Sequence, residues 1–469
     1  MEQKEAIVEA WVIWVRKKLP ITVKFASKYS LWVRFPPGSH PQDGAEFARL
    51  GVRLDGQESE LGPCRLLPEP NIEGFAGRLV LTRDFHDLES LFFRRKAVQL
   101  QPLARIIPPL LEQPAKIRQA FKNYAADLAY SLSIYRSNFD ALDAEHQAEP
   151  QQVRRIVEQR ILESDGRAFM RFLDAKLEDL KALVSKLPEK EAQEHAFYFR
   201  KLLWNVILCS PVMARTNLKP RGYAGDYEMM RMIYANAYEG ESTFSKLLHK
   251  HPVEQPGAEA VRSRRGYIAG WVREYLRRAG KSAPRRKVHV LSVACGPAFE
   301  LRNILDSART SRRLHFTLFD QDQYALLEAA KVVDQLERSL GAKISVEYLR
   351  ESVRAMLFTK QLQERWGQYQ LIYSMGLFDY LSPQIAAAVL AKLYQLLLPG
   401  GQMVIGNFHP SNTSRIFMDF WLDWVLIYRT EREFRDLAKD LPGAKISVTS
   451  DSTGIQLFLH VTKGRSGGR

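Results

Sequence analysis

The chain has 469 residues, 46% of them hydrophobic, and a formal net charge of +15; that length outgrows a single hydrophobic core and predicts a multidomain protein. Glu2 and Glu5 stand where a signal peptide needs basic residues, and the apolar run Ile7 to Val15 holds Glu9 and is too short for a bilayer. Neither a secretory leader nor a membrane span is therefore expected, and the expected location is the cytoplasm. Cys64, Cys209 and Cys295 are far apart, with no CxxC pair, which suits a reducing compartment and offers no cysteine-based metal site.

In chain order, the first elements read as strands. ITVKF, LWVRF, GVRLDG, CRLLP, GRLVLT and AVQL are separated by Gly, Pro and Asp turn signals after a short amphipathic start, the pattern of a small β-barrel over residues 18–105. Pro102, Pro108, Pro109 and Pro114 mark a linker. The period then changes: Phe121, Leu128, Tyr135 and Leu142 recur every seven residues, with Ile117, Tyr124, Leu132 and Phe139 beside them, on one face of a long helix. Glu149-Pro150 opens a further helix, Gly166 interrupts it, and Phe169, Leu173, Leu177, Leu180 and Val184 mark the buried face of the next. Helical sequence continues to about Ala279, so an α-helical cap or substrate domain is expected over residues 112–280.

Late in that domain Arg262, Arg264, Arg265, Arg273, Arg277, Arg278, Lys281, Arg285, Arg286 and Lys287 are opposed only by Glu274. Such a run reads equally well as a solvated helix face or as an anion-binding surface. After the polar linker Gly280 to Lys287 the pattern alternates strand and helix over residues 285–465, as in a doubly wound, Rossmann-like sheet. Its predicted strands are Val288–Val293, Leu314–Phe319, Ile344–Leu349, Tyr369–Tyr373 and one within Leu396–Asn407, followed by a terminal hairpin, Ile446–Ser450 with Ile455–Thr462.

The first of these strands runs into Ala294-Cys295-Gly296-Pro297-Ala298-Phe299-Glu300-Leu301. Small residues between a strand and a helix N-terminus let backbone amides approach a ligand closely. Asp320 ends the next strand about twenty residues on, where a carboxylate can accept two hydrogen bonds from ribose hydroxyls. Together with the ordered strands and LLLPGGQMVIGN, this resembles the class I S-adenosylmethionine-dependent methyltransferases. The resemblance implies S-adenosylmethionine as cofactor, with Ala294, Gly296 and Ala298 in the places of three glycines that wrap its methionine part. It also places Ser352 and Val353, after Glu351, near adenine, and Ser374 at the end of the fourth strand among the cofactor-binding loops. Ser292 stands where the family has an acid, so Glu300 becomes the candidate for the cofactor's ammonium. A dehydrogenase would want GxGxxG and more parallel strands after the fifth in place of the hairpin.

LGPCRLL, FYFRKLLWNVILCSPVMARTNLKPRGYAGDYEMM, GLFDYL and LDWVLIYRTEREF extend the resemblance to proteins linked to synthesis of 3-hydroxypalmitic acid methyl ester, an extracellular quorum-sensing factor. A fatty-acid carboxylate as methyl acceptor is what this implies. Arg49 and Arg53 fit the RxxxR pair of PilZ domains, which bind cyclic-di-GMP, but the DxSxxG element does not follow, so the barrel is read as a degenerate PilZ-like one.

Outside the cofactor motif, Arg215 to Asp226 breaks the helical domain with Pro220, Gly222 and Gly225 and reads either as a structural cap or as a loop over the active site. In the second reading Arg221 or Lys219 holds an anionic acceptor and Tyr223 orients it. An amine or hydroxyl acceptor would need a base, and His409 is the candidate; a carboxylate needs none. His249 and His251 point to different faces of a helix, and no metal is expected. The expected partners are a small acidic acceptor, an anionic surface contact and a second copy of the chain through the central helices, but not nucleic acid. A nucleic-acid or protein methyltransferase and a non-catalytic cofactor sensor remain the alternatives.

Overall fold

Alternating apolar and polar residues curl the N-terminal strands of the computed structural model into a closed antiparallel barrel. The structure describes residues 9–27, 30–39, 41–42, 44–54, 57–67, 77–82, 117–282 and 287–464, and the chain divides into two units, Met1–Pro114 and Ala115–Arg469.

In the first unit the strands are β1 (Glu9–Trp14), β2 (Lys17–Ser27), β3 (Ser30–Arg34), β4 (Glu46–Leu54), β5 (Gln57–Leu67) and β6 (Gly77–Leu81). They neighbour one another in the order β1-β2-β3-β6-β5-β4, and β4 pairs back onto β1. Val12, Leu31, Val33, Leu50, Val52, Leu66 and Leu79 point inward and form the core. β1 lies before residue 18, so the apolar start is a barrel strand and not an isolated amphipathic segment. Arg49 pairs with Glu60, and Arg53 with Glu9 and Glu58, so both arginines of the RxxxR pair already face carboxylates. The AVQL run expected as a last strand lies outside the described residues.

The second unit holds the helices and the sheet together, and the expected boundary at 280–285 lies inside it. Its helical layer contains Gln119–Glu145, Gln151–Glu163, Asp165–Val184, Glu189–Ile207, Pro211–Leu218, Tyr227–Ala235, Thr243–Glu254 and Pro256–Ser282. Phe121, Phe169, Phe199, Leu203 and Phe244 from these helices pack with Phe417, Phe420, Trp421 and Trp424 from beyond the fifth sheet strand. The last of the helices joins the two layers: Ala260 and Val261 belong to this cluster, Ile268, Ala269 and Val272 to the core of the sheet.

The sheet strands are β7 (Val288–Val293), β8 (Leu314–Asp320), β9 (Ser345–Arg350), β10 (Tyr369–Ser374), β11 (Leu397–Phe408), β12 (Lys445–Ser450) and β13 (Gln456–Thr462). They lie in the order β12-β13-β11-β10-β7-β8-β9, parallel from β11 to β9, with β13 antiparallel to β11 and β12 to β13. From β7 the chain moves out to β8 and β9, then returns to place β10 on the other side of β7. This reversal makes a topological switch point at the carboxyl ends of β7 and β10, where open α/β sheets bind ligands. Both faces are covered, one by the helices Pro256–Ser282 and Gln323–Leu340, the other by Pro383–Leu396 and Glu431–Asp436. Among the described residues no helix is long and apolar enough to cross a membrane.

Candidate functional site

The turn after β7 puts three residues at alternating positions in the left-handed region: Ala294 at φ 51°, Gly296 at 55° and Ala298 at 50°. Left-handed backbone crowds a Cβ against the next carbonyl at about 1–2 kcal/mol per residue, so the two alanines are held there by their surroundings. The Cys295 amide donates to the Phe319 carbonyl at 3.1 Å, and the Gly296 amide to Asp320 Oδ2 at 2.9 Å. Asp320 Oδ1 accepts the Asp322 amide at 2.9 Å. Its carboxyl lies above the ordinary range, chiefly because it is buried, although the two amides oppose that shift. A Cβ built on Gly296 meets no atom within 4 Å; the turn faces open space.

That space is a cavity of about 400 Å³ over the switch point, bounded by Ser292, Ala294, Gly296, Glu300, Asp320 and Val353 of the sheet segment among others. The volume suits a small-molecule site. Glu300 is buried within it: Tyr373 donates to Oε1 at 2.8 Å, and Ser292 Oγ stands 3.5 Å from the same oxygen. Burial raises the Glu300 carboxyl, against the pull of Tyr373 and the nearby Arg264 guanidinium. The serine at the strand end thus lies beside a carboxylate supplied from eight residues on.

The expected helix after this turn is four residues long, Leu301–Ile304. Ser307 accepts the Thr310 amide and Thr310 donates to Asp306; these local side-chain bonds stop the first helix and start another at Ala308. A helix dipole therefore contributes little here, and the turn meets the cavity through its small residues beside the Glu300 and Asp320 carboxylates.

Several sequence-predicted residues do not line the cavity. Ser352 caps the helix Val353–Phe358 by accepting the Ala355 amide at 3.1 Å. Ser374 donates to the Val293 carbonyl at 2.9 Å and ties β10 to β7. Ala298 is fully buried in the sheet core. His409 bonds Ser411 through Nδ1 at 2.7 Å and is not among the lining residues.

The loop after Pro211–Leu218 supplies another wall. Tyr223 and Gly225 line the cavity, and the Tyr223 ring meets Tyr380 edge-on at 6.3 Å. A Cβ on Gly225 would lie 2.3 Å from the Tyr380 hydroxyl and 2.8 Å from Trp424, so only glycine allows this approach. Burial, with Asp320, Asp322 and Asp226 nearby, raises the Tyr223 phenol. Arg221 does not line the cavity; its Nη1 donates to both Asp322 oxygens at 3.0 Å, and its guanidinium lies 4.6 Å from the Tyr227 and Tyr324 rings. Lys219 pairs with Asp423, and Arg215 with Asp226. The cations of the loop are engaged by acids of the chain itself.

Tyr227, Met230 and Tyr234, not singled out from sequence, project from one helix and complete the wall with Tyr373, Met375 and Tyr380, from the end of β10 and the loop after it, where the sequence places a ligand-binding loop. The spacing of Tyr227, Met230 and Tyr234 was visible as a helical stripe, but such a stripe reads first as core. The basic run is split. Arg264 and Arg265 line the cavity, Arg277 and Arg278 pair with Glu274, and Arg262 bonds the Val253 carbonyl at 2.6 Å.

No family model matches the chain, and no curated protein does. Among solved structures it is similar to a "possible exported protein" from Bordetella parapertussis, at 16% identity and TM-score 0.39, over 64% of this chain and 97% of that one. It is also similar to the magnesium protoporphyrin IX methyltransferase of Synechocystis PCC 6803 with S-adenosylmethionine bound, at 13% identity and TM-score 0.31, over 44% and 83% of the two chains. A third is the CurJ carbon methyltransferase, at 12% identity and TM-score 0.34, over 62% and 71%.

Proposed function

We propose that the protein is an S-adenosylmethionine-dependent methyltransferase acting on a small acidic acceptor. The observation that carries this is the turn at residues 294–298, whose left-handed Ala294 and Gly296 open onto the switch-point cavity beside the Asp320 carboxylate. When bound, the cofactor supplies a methyl group on a sulfonium, which the acceptor oxygen takes in an in-line displacement as the thioether leaves.

The chain's own residues divide the binding. Asp320 accepts hydrogen bonds from the ribose with the lone pairs left by the two backbone amides, Glu300 with Tyr373 receives the ammonium, and Val353 flanks the adenine. Glu300 is suited to a cation because a bound positive charge restores the ionised form that burial disfavours. Tyr223 orients the acceptor from the loop wall. A carboxylate acceptor needs positioning and desolvation and no base, which accords with His409 lying off the cavity. The walls Met230, Phe299, Leu377 and Leu381 are apolar, a surface suited to an alkyl chain; this supports the carboxylate of a 3-hydroxy fatty acid as the acceptor.

The proposal keeps the protein in the cytoplasm and reads the barrel as structural, since Arg49 and Arg53 are paired with glutamates. Exposed Tyr130, Ile134, Phe197 and Trp204 on the central helices support a homodimer there. Calorimetry with S-adenosylmethionine, followed by mass spectrometry of 3-hydroxy fatty acids incubated with protein and methyl-labelled cofactor, tests the reading. Binding and label in a methyl ester are expected, and no binding would overturn it. In Tyr223→Phe, a fall in turnover without a change in cofactor affinity is the sign of an acceptor-side role.

A further inference from the structure

Arg264 comes from the middle of the helix Pro256–Ser282 and reaches the cavity as a charge with little to neutralise it. It is 8% exposed; one terminal nitrogen donates to the Met375 carbonyl at 3.1 Å, the other lies 3.2 Å from the Met230 sulfur, and Nε is buried without a hydrogen-bond partner. Arg265 beside it stacks on Tyr234 at 4.5 Å, lines the same cavity, and also has a buried Nε without a partner. Neither arginine forms an ion pair among the described residues, in contrast with Arg277 and Arg278 on the same helix. Glu300 and the buried Asp379 act on Arg264 only from a distance; a buried guanidinium with no bonded acid is costly, and its planar fork matches a carboxylate. Glu300 lines the same cavity with the opposite charge, close enough to feel Arg264 but not bonded to it.

We infer that Arg264 is a carboxylate anchor and that, with Glu300 opposite, it forms a receptor for a zwitterionic amino-acid head group. The inference rests on the methyltransferase reading, and it assigns the carboxylate to the aminoacyl end of the cofactor, with the carboxylate of an acceptor as the second source of the same chemistry. An acid at Glu300 and an arginine at Arg264, held apart by the protein, each gain an ion-pair partner only when such a group lies between them. Arg264 and Arg265 are the cations that line the cavity, whereas Arg221 stands off it and is committed to Asp322.

The test compares S-adenosylhomocysteine with 5′-methylthioadenosine, which lacks the aminoacyl end, by calorimetry on the full chain. The unaltered protein should bind the former on the order of 100-fold more tightly, the scale of a desolvated charge pair. In Arg264→Met that preference should fall below about tenfold, with methylthioadenosine affinity unchanged and melting temperature unchanged or raised, because replacing an unpaired buried charge by an apolar side chain relieves its cost. Arg264→Lys should recover part of the preference. A preserved preference together with a KM for the carboxylate acceptor raised on the order of 100-fold assigns the anchored carboxylate to the acceptor. Unchanged preference and unchanged KM in a folded Arg264→Met protein would overturn the inference and leave the methyltransferase reading standing. Failure of the unaltered protein to bind either nucleoside overturns both.

Discussion

Removing the Arg221 side chain tests whether the loop over the cavity is held by a structural latch or carries an acceptor-binding cation. Arg221 donates to both oxygens of Asp322, with the two side chains 22% and 11% exposed, and its guanidinium lies between Tyr227 and Tyr324. Breaking a buried pair costs about 3–5 kcal/mol, but here water reaches both groups and Asp322 keeps its bond to the Tyr324 amide. That reduces the electrostatic loss to about 1–2 kcal/mol, and two cation–π contacts add about 0.5–1 kcal/mol each, for about 2–4 kcal/mol in all. At about 2 cal/mol/K per residue over the second unit, Arg221→Ala should lower its melting temperature by about 3–6 °C. Asp322→Asn should cost the electrostatic part alone, about 1–2 kcal/mol, and the double variant little more than Arg221→Ala, with a coupling of about 1–2 kcal/mol in a thermal-melt cycle. Turnover should fall only as far as cofactor affinity and folded fraction fall. An unchanged melting temperature in Arg221→Ala, with turnover reduced a hundredfold, would refute the latch and return Arg221 to the acceptor side.

Asp320→Ala removes the acceptor of two backbone amides as well as the proposed ribose contact, so calorimetry should show affinity weaker by about 2 kcal/mol and melting should show a loss of stability; unchanged affinity would remove Asp320 from the site. Gly296→Val places a β-branched side chain at φ 55° in the open cavity, and cofactor binding should be lost by equilibrium dialysis while the protein still folds. His249 is fully buried, neither ring nitrogen has a partner, and burial holds it down to about 4. Because its folded value is depressed, the unfolded chain takes the proton first as pH falls from about 6.5, and up to about 3 kcal/mol of stability is lost by pH 4. Burial pushes Asp379 and Asp419 up to about 6, and they act oppositely by taking protons in the folded state. The readout is therefore the difference between denaturation profiles of the unaltered protein and His249→Leu, in which the variant should lose less stability over that window.

The sheet was legible because buried parallel strands are continuous apolar runs closed by small or acidic residues. Val288–Val293 was expected with the bounds the structure gives, and β8 and β10 each gained one residue. β1 was hidden because its turn, Val15-Arg16, has φ 47° and 61° without the Asn or Gly that announces such a hairpin. The four-residue helix Leu301–Ile304 was hidden for a different reason: Asp306, Ser307 and Thr310 bond the backbone locally, and their competition with a continuing helix does not show in a hydrophobic pattern. Phe417, Phe420, Trp421 and Trp424 belong by sequence to the sheet segment and by packing to the central helices, a pairing that no local period encodes. Arg264 was one cation among ten; burial beside Met375 and Met230 distinguishes it from Arg277 and Arg278.

At the cofactor turn the sequence conflicts with its own backbone in a way that ties structure to binding. Alanine resists the left-handed region that Ala294 and Ala298 occupy, and glycine in both places would remove the strain. Ala298, however, is fully buried in the sheet core, where its methyl group contributes about 0.8 kcal/mol, and glycine would also lose more chain entropy on folding. The two effects nearly cancel, so alanine is tolerable wherever the next strand enforces the conformation. That enforcement comes from the Phe319 carbonyl on the Cys295 amide and the Asp320 carboxylate on the Gly296 amide. Asp320 therefore fixes the turn that faces the cavity, and in the proposed site it also presents its own oxygens to the ligand. Strained backbone kept by tertiary contacts is common where a protein binds, and here the residue that keeps it is the one assigned to the ribose.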